Sequence, residues 1–257
     1  SLFIGGIDII SLIYIFSCPG NAIRSAQEMA GRMPEFADFT FAEKLYMGLA
    51  NVERIFIAEL DPVYCVVAAV LVLLVYRKTG DYRKTLLAGI PALLLFGQAV
   101  VRVSHPSLKK VFVRPEQTTH WDWHALVTYM PLVFLVLSVW GILYALWQLA
   151  DGVWKHYLWT AFLLAGGFAM GVVMGFSPTI YASANRPYLY LYFVLIYVCA
   201  DAVWNMGGMK AVWKTGSSDA VWKMPVPEKL MFTVLGLLVL ANILDVTRMC
   251  WLLGRIL

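Results

Sequence analysis

The chain has 257 residues, of which 61% are hydrophobic and only 14% are charged, and its mean hydropathy is +0.72. Because about a quarter of the residues in soluble domains are charged, this composition excludes an ordinary soluble domain and predicts an integral membrane protein. The net charge of +4 is small and dispersed, so we expect no nucleic-acid partner.

Seven apolar segments predict an all-α fold, a polytopic transmembrane helical bundle. They cover approximately Leu2–Ser17, Pro62–Tyr76, Leu86–Val101, Ala125–Leu149, Leu158–Phe176, Tyr188–Met206 and Leu230–Leu253. The first is short for a span of about twenty residues. We therefore expect residues 1–257 to be a single transmembrane domain that forms the C-terminal part of a longer protein.

Between the first two spans, residues 18–61 carry an amphipathic pattern. Thr40 and Glu43 form a capping-box motif that predicts a helix start. Apolar residues then recur at helical spacing, namely Phe41, Leu45, Leu49, Val52, Phe56 and Leu60. The pattern predicts an interfacial helix that lies on the membrane surface and leads into the second span.

Alternation of the spans places three loops on one face of the membrane: residues 18–61, 102–123 and 177–187. The opposite face carries Arg77, Lys78, Arg83 and Lys84 within one short connection. Because basic loops favour the cytoplasmic side, the three long loops are predicted to lie outside.

The first candidate site is Pro19-Gly-Asn-Ala-Ile-Arg24, directly after the first span. Proline and glycine predict the end of a helix, which leaves Asn21 and Arg24 at the membrane boundary. The alternative is a plain helix stop with an arginine that reaches toward the interface.

The second candidate site is the polar loop that runs from Gly175 to Pro187 between two apolar spans. Its hydroxyl and amide groups belong to Ser177, Thr179, Tyr181, Ser183 and Asn185. Arg186 adds a guanidinium, whose planar fork suits a phosphate group. The alternative is a capped turn without a ligand. No nucleophile is predicted, because Ser183 has no histidine or lysine at a diagnostic spacing.

Three histidines, His105, His120 and His124, raise the question of a zinc or copper site. Asp122 lies only two residues from His120 and from His124, so on a helix it would point away from both. Trp121 and Trp123 suit an interfacial aromatic belt, so a solvated loop is favoured over a metal site. Neither a metal nor another cofactor is predicted.

The motifs at 19–24 and 177–186 resemble those of a bacterial family of polytopic membrane proteins related to the GtrII-like and other GT-C-type glycosyltransferases. The resemblance implies transfer of a sugar from a polyprenyl-phosphate donor to a cell-envelope glycan or lipid. It also implies a multi-pass protein of the cytoplasmic membrane, with membrane lipids and a lipid-linked sugar as partners.

Within this resemblance, Arg24 and Arg186 are the expected lipid-phosphate contacts. Asn21, Ser177, Tyr181 and Ser183 are expected to position sugar or phosphate. The acidic catalytic residue of GT-C enzymes usually lies in the first outer loop, nearer the N-terminus than any residue here. The chain is therefore expected to supply the substrate-binding half, with its catalytic residue unknown and an N-terminal half on the same or a partner chain.

Two other classes of function fit the sequence. A transporter or flippase-like subunit for a lipid-linked or anionic substrate would use Asp8 or Asp201 as a relay near the membrane midplane. A metal-dependent membrane oxidoreductase subunit would use His105, His120 and His124 as ligands.

Overall fold

The computed structural model describes residues 19–31, 33–104, 123–124, 126–150, 152–181 and 188–205, and every regular element within these ranges is helical. The α-helices are α1 (Pro19–Gly31), α2 (Phe41–Glu53), α3 (Pro62–Thr79), α4 (Tyr82–Ala88), α5 (Ile90–Ser104), α6 (Leu126–Leu149), α7 (Trp154–Val173) and α8 (Leu189–Asn205). Two 3-10 turns cover Pro34–Ala37 and Met174–Phe176, and a π turn covers Arg54–Ala58.

Three helical segments are long and apolar enough to span a membrane: Pro62–Thr79, Thr128–Leu149 and Trp154–Phe176. The bent pair α4 and α5 makes a fourth if it is one span, and α8 is apolar but shorter. The described part of the chain therefore has three to four helices that could cross a membrane. The predicted segments at 2–17 and 230–253 lie outside the described residues, so the count of seven spans stays a prediction.

The segment predicted as one helix from Leu86 to Val101 is bent by 61° between α4 and α5. The bend lies at Gly89, whose amide donates to the carbonyl of Thr85 over 2.8 Å. Pro91 follows, and it has no backbone N–H to continue the hydrogen bonds of α4. The hydropathy of the sequence could not show this break, because both sides of it are apolar.

The predicted helix stop at Pro19–Arg24 is wrong. These six residues form the first turns of α1. Proline is well tolerated at the first position of a helix, because that residue's N–H has no partner in the helix and the fixed φ of proline suits the helix. Asn21 and Arg24 therefore lie on a helix rather than in a turn.

The predicted capping box of α2 is confirmed. The amide of Thr40 donates to Oε2 of Glu43 over 2.7 Å, and the amide of Glu43 donates to Oγ1 of Thr40 over 3.3 Å. The face that α2 buries matches the predicted one only in part, since Val52 is buried as expected, whereas Phe41 is 72% exposed. Tyr46 and Met47, which lie outside the predicted face, are buried. Neighbouring helices cover this face, because α2 packs against α6 and α7.

The main core lies where α3, α6 and α8 meet the end of α2. Ile55, Phe56 and Ile57 of the π turn are almost fully buried in it. A smaller apolar cluster joins α2 to the segment after α7, through Tyr46, Met47 and Ile180. The main core thus places the irregular backbone of the π turn among packed helices.

Candidate functional site

The backbone between α2 and α3 is irregular. In the π turn, the amide of Glu59 donates to the carbonyl of Arg54 over 2.8 Å. Leu60 then has φ = +58°, in the left-handed region, where a side chain costs roughly 1–2 kcal/mol. Such features are rare and concentrate at functional sites, where the surrounding packing holds them in place. The segment from Arg54 to Asp61 is therefore the first place to look for a site.

A polar network surrounds Arg54; we call Asn51, Arg54, Glu59, Tyr181 and Tyr188 the Arg54 cluster. Nε of Arg54 donates to Oδ1 of Asn51 over 3.0 Å, and Nδ2 of Asn51 donates to the phenol oxygen of Tyr188. The guanidinium lies over the ring of Tyr181, 5.5 Å from its centroid. Its Nη1 is 3.5 Å from Oε1 of Glu59. Residues from three separate parts of the chain thus orient one cation.

The Arg54 cluster lies at one end of the apolar helices. It sits just before the start of α3, just after the end of α7 and at the residue that precedes α8. A membrane that these helices span would therefore end near the level of the cluster. Buried charge in an apolar bundle is expensive and is retained mainly where it is paired or functional.

Burial also shapes the acid–base behaviour of the cluster. Asn51 is 2% exposed and Tyr188 is fully buried. Burial raises the pKa of Tyr188 to about 12, although the hydrogen bond from Asn51 and the charge of Arg54 both lower it. The phenol of Tyr188 therefore stays protonated near neutral pH and contributes dipoles rather than charge.

A second polar pair adjoins the cluster. Asp61 caps α3, since its Oδ1 accepts the amide of Tyr64 over 2.9 Å, and its Oδ2 accepts the hydroxyl of Tyr192 over 2.7 Å. Burial raises the pKa of Asp61, although these hydrogen bonds oppose the shift. The ring of Phe56 packs against both Tyr188 and Tyr192, at centroid distances of 6.0 and 5.1 Å. Phe56 therefore packs between one tyrosine of the Arg54 cluster and the tyrosine of the Asp61 pair.

Glycines let α2 approach α7 closely enough to build the cluster. A Cβ at Gly48 would lie 2.1 Å from the carbonyl oxygen of Val172, and one at Gly175 would lie 2.1 Å from that of Lys44. A Cβ at Gly171 would lie 2.8 Å from Val52 and 3.0 Å from the Tyr188 ring. Because these neighbours include backbone atoms, only glycine permits the approach that brings Asn51 to Tyr188.

The structure brings together parts of the three loops that were predicted to share a face. Tyr181, from the 177–187 loop, meets Arg54 from the 18–61 segment. Trp123, from the 102–123 loop, packs against Tyr46 at 5.3 Å between ring centroids. The hydroxyl of Tyr46 also donates to the carbonyl of Thr128 over 2.7 Å.

The sequence-predicted site residues fall into four groups. Tyr181 belongs to the Arg54 cluster, whereas the hydroxyl of Ser177 forms a local turn with Thr179 at 2.8 Å between their oxygens. Asn21 and Arg24 lie on α1, and only their backbone is described. Ser183 and Arg186 lie outside the described residues.

Sequence reasoning missed Arg54, Asn51 and Glu59. Arg54 and Glu59 are five residues apart, a spacing that does not bring side chains together on an α-helix, so the π turn hid their proximity. Asp61 could have been found from sequence, because an aspartate followed by a proline is a typical start of a helix, with the aspartate as the cap and the proline as the first helical residue.

The proposed histidine ligands are only partly described. His124 is exposed in a turn, and His105 and His120 lie outside the described residues. Among the residues that the structure describes, no group of three potential metal ligands lies together.

A further polar group lies at the opposite end of the helices. Nε2 of His156, in the first turn of α7, is 2.8 Å from Oδ2 of Asp201 in the last turns of α8. The side-chain amide of Asn205 lies 3.1 Å from His156 and donates to Asp201 over 3.2 Å. Asp201, considered from sequence as a midplane relay, thus lies beside the first turn of α7 and has two partners.

Comparison of the chain with protein-family models, curated proteins and solved structures found no match in any of the three.

Proposed function

We propose that the protein is a membrane-embedded glycosyltransferase similar to the GT-C type, in the cytoplasmic membrane. It moves a sugar from a polyprenyl-phosphate donor to a cell-envelope glycan or lipid. The observation that supports this best is the Arg54 cluster at the end of apolar helices, in which the amide of Asn51, itself bonded to Tyr188, and the ring of Tyr181 hold a cation. A polyprenyl phosphate would keep its chain in the lipid and place its phosphate at this level.

Sugar transfer breaks the bond between the anomeric carbon and a phosphate oxygen, and forms a bond to an acceptor oxygen. The acceptor proton passes to a base, and the negative charge left on the phosphate needs a cation. Arg54 supplies such a cation. Arg24 and Arg186 stay proposed as further phosphate contacts, with Asn21, Ser177, Tyr181 and Ser183 as positioning residues.

We assign no catalytic base among the described residues. Both carboxylate oxygens of Asp61 already accept hydrogen bonds, one from the backbone of α3 and one from Tyr192. This arrangement suits a helix cap that orders the start of α3.

The proposal is tested with membranes from cells that express the gene, incubated with labelled polyprenyl-phosphate sugars and an envelope acceptor. Arg54→Ala is expected to lower transfer by about 100-fold, because loss of one donor to a developing anion has that order of effect. Arg54→Lys is expected to recover part of the loss, since it keeps the charge without the planar fork. Arg186→Ala tests the contact inferred from sequence in the same assay.

The matched control is Arg83→Ala, which removes an exposed basic residue at the opposite end of the helices. It should leave transfer unchanged. Equal losses in the Arg54 and Arg83 variants would contradict a role for the cluster. Movement of labelled lipid across the membrane without any transfer would instead favour the transporter class.

A further inference from the structure

The two sides of the Arg54 guanidinium are held very differently. On one side, Nε donates to buried Asn51 over 3.0 Å, and Asn51 is itself held by buried Tyr188. On the other side, Nη1 is 3.5 Å from Oε1 of Glu59, longer than the 2.7–2.9 Å that is usual for a charge-assisted hydrogen bond. One side is therefore anchored to the core, and on the other side the contact with Glu59 is long.

Glu59 also differs from the other cluster residues in exposure. The side chain of Glu59 is 41% exposed, whereas that of Arg54 is 13% exposed. Glu59 lies in the turn after the π turn, outside α2 and α3, so no α-helical backbone restricts its side chain. The Glu59 carboxylate thus reaches solvent, while Asn51 and Tyr181 hold the guanidinium from the other side.

We infer that Glu59 is a built-in competitor for an anion site on Arg54, and that a phosphate group binds the guanidinium by displacing the Glu59 carboxylate. The inference deepens the proposed function and rests on it for the choice of phosphate. The same chemistry would serve free phosphate or the phosphate end of a polyprenyl lipid.

The displacement follows from the strength of the two contacts. The contact of Arg54 with Glu59 is weakened by its length of 3.5 Å and by solvent at the Glu59 carboxylate, which is 41% exposed. A phosphate presents several oxygens to the fork of an arginine and forms two parallel charge-assisted bonds. The ring of Tyr181 keeps the guanidinium plane oriented for that exchange. Glu59 thus sets how tightly the site binds an anion without contributing to the binding itself.

The test measures dissociation constants of the purified protein in detergent micelles for two probes, inorganic phosphate and a short-chain polyprenyl phosphate. Glu59→Gln is expected to tighten binding of the lipid phosphate by about two- to fivefold, the effect of losing an ion pair that solvent reaches at the carboxylate. Arg54→Gln is expected to weaken it by at least about tenfold, since a charged hydrogen bond is lost. The unfolding midpoint of each variant is measured alongside, so that loss of fold is recognised.

The matched control is Asp38→Asn, which removes the same charge from an exposed carboxylate after the first 3-10 turn. Tighter binding in Glu59→Gln but not in Asp38→Asn supports the inference. Equal effects in the two variants indicate a general charge effect and overturn it, as does unchanged or weaker binding in Glu59→Gln.

The two probes separate this inference from the proposed function. If inorganic phosphate alone binds and responds to Glu59→Gln, the competitor role stands and the polyprenyl-phosphate donor is refuted. If the lipid phosphate binds and transfer occurs, but Glu59→Gln changes neither dissociation constant, the proposed function stands and the inference fails. Absence of binding by both probes refutes both.

Discussion

The contact between α2 and α7 predicts a large effect from a very small substitution, Gly48→Ala. The added Cβ would lie 2.1 Å from the carbonyl oxygen of Val172, whereas real Cβ contacts are essentially never under 3.0 Å. The helices would have to separate by about 0.9 Å, the difference of these two distances. Because the obstacle is backbone, side-chain rotation cannot relieve it, and the cost should reach the upper part of the usual overpacking range of about 1–3 kcal/mol.

Gly166→Ala is the matched control, since Gly166 lies in the middle of α7 and a Cβ there meets nothing within 4 Å. Both substitutions gain the same helix propensity, about 1 kcal/mol, so their difference isolates the steric cost. The assay is reversible unfolding in detergent micelles followed by tryptophan fluorescence. Gly48→Ala should be less stable than Gly166→Ala by about 3 kcal/mol. Equal stability would refute the close packing of α2 against α7.

Three further predictions concern single local features. Thr40→Ala should lower the unfolding free energy by about 1 kcal/mol through loss of the capping box, whereas Thr40→Ser should not. Gly80→Ala should cost about 1 kcal/mol in the same fluorescence assay, because Gly80 has φ = +61° and the strain is purely conformational. The pKa of Asp61 is raised above its ordinary 3.8, so the folded state holds a proton more tightly and stability from this group falls as pH rises above 3.8. The unfolding free energy of Asp61→Asn, measured from pH 4 to 7, should therefore increase with pH relative to that of the unsubstituted protein. If the difference between the two free energies does not change with pH, the raised pKa of a buried carboxylate is contradicted.

Most of the helices could be predicted from the sequence. Apolar runs predicted the regions of α3, α6, α7 and α8, and the capping box marked the start of α2. Local chemistry sufficed in these cases, because the length of an apolar run and a cap act within a few residues of sequence. The predicted helix stop at Pro19–Arg24 was wrong for a related reason. Proline also occurs at the start of helices, and the local sequence did not distinguish a helix start from a helix end.

The candidate site could be predicted from the sequence only to a small extent. The polar loop after α7 was singled out from sequence, and its Tyr181 lies in the Arg54 cluster. Arg54 was passed over, because the apolar spacing around it favoured a plain amphipathic helix. Its partners Tyr181 and Tyr188 are more than one hundred residues away along the chain, and no local pattern links such positions.

The sequence by itself determined the class of protein, because composition and apolar runs decide whether a chain is solvated by water or by lipid. It also determined most helix positions and one helix cap. Only the tertiary structure decided which polar side chains meet, through the π turn at Arg54 and the glycine contact of α2 with α7. The physical reason is that helix formation depends on neighbours in sequence, whereas a buried ionic cluster depends on close packing between distant segments, where a single Cβ decides the spacing.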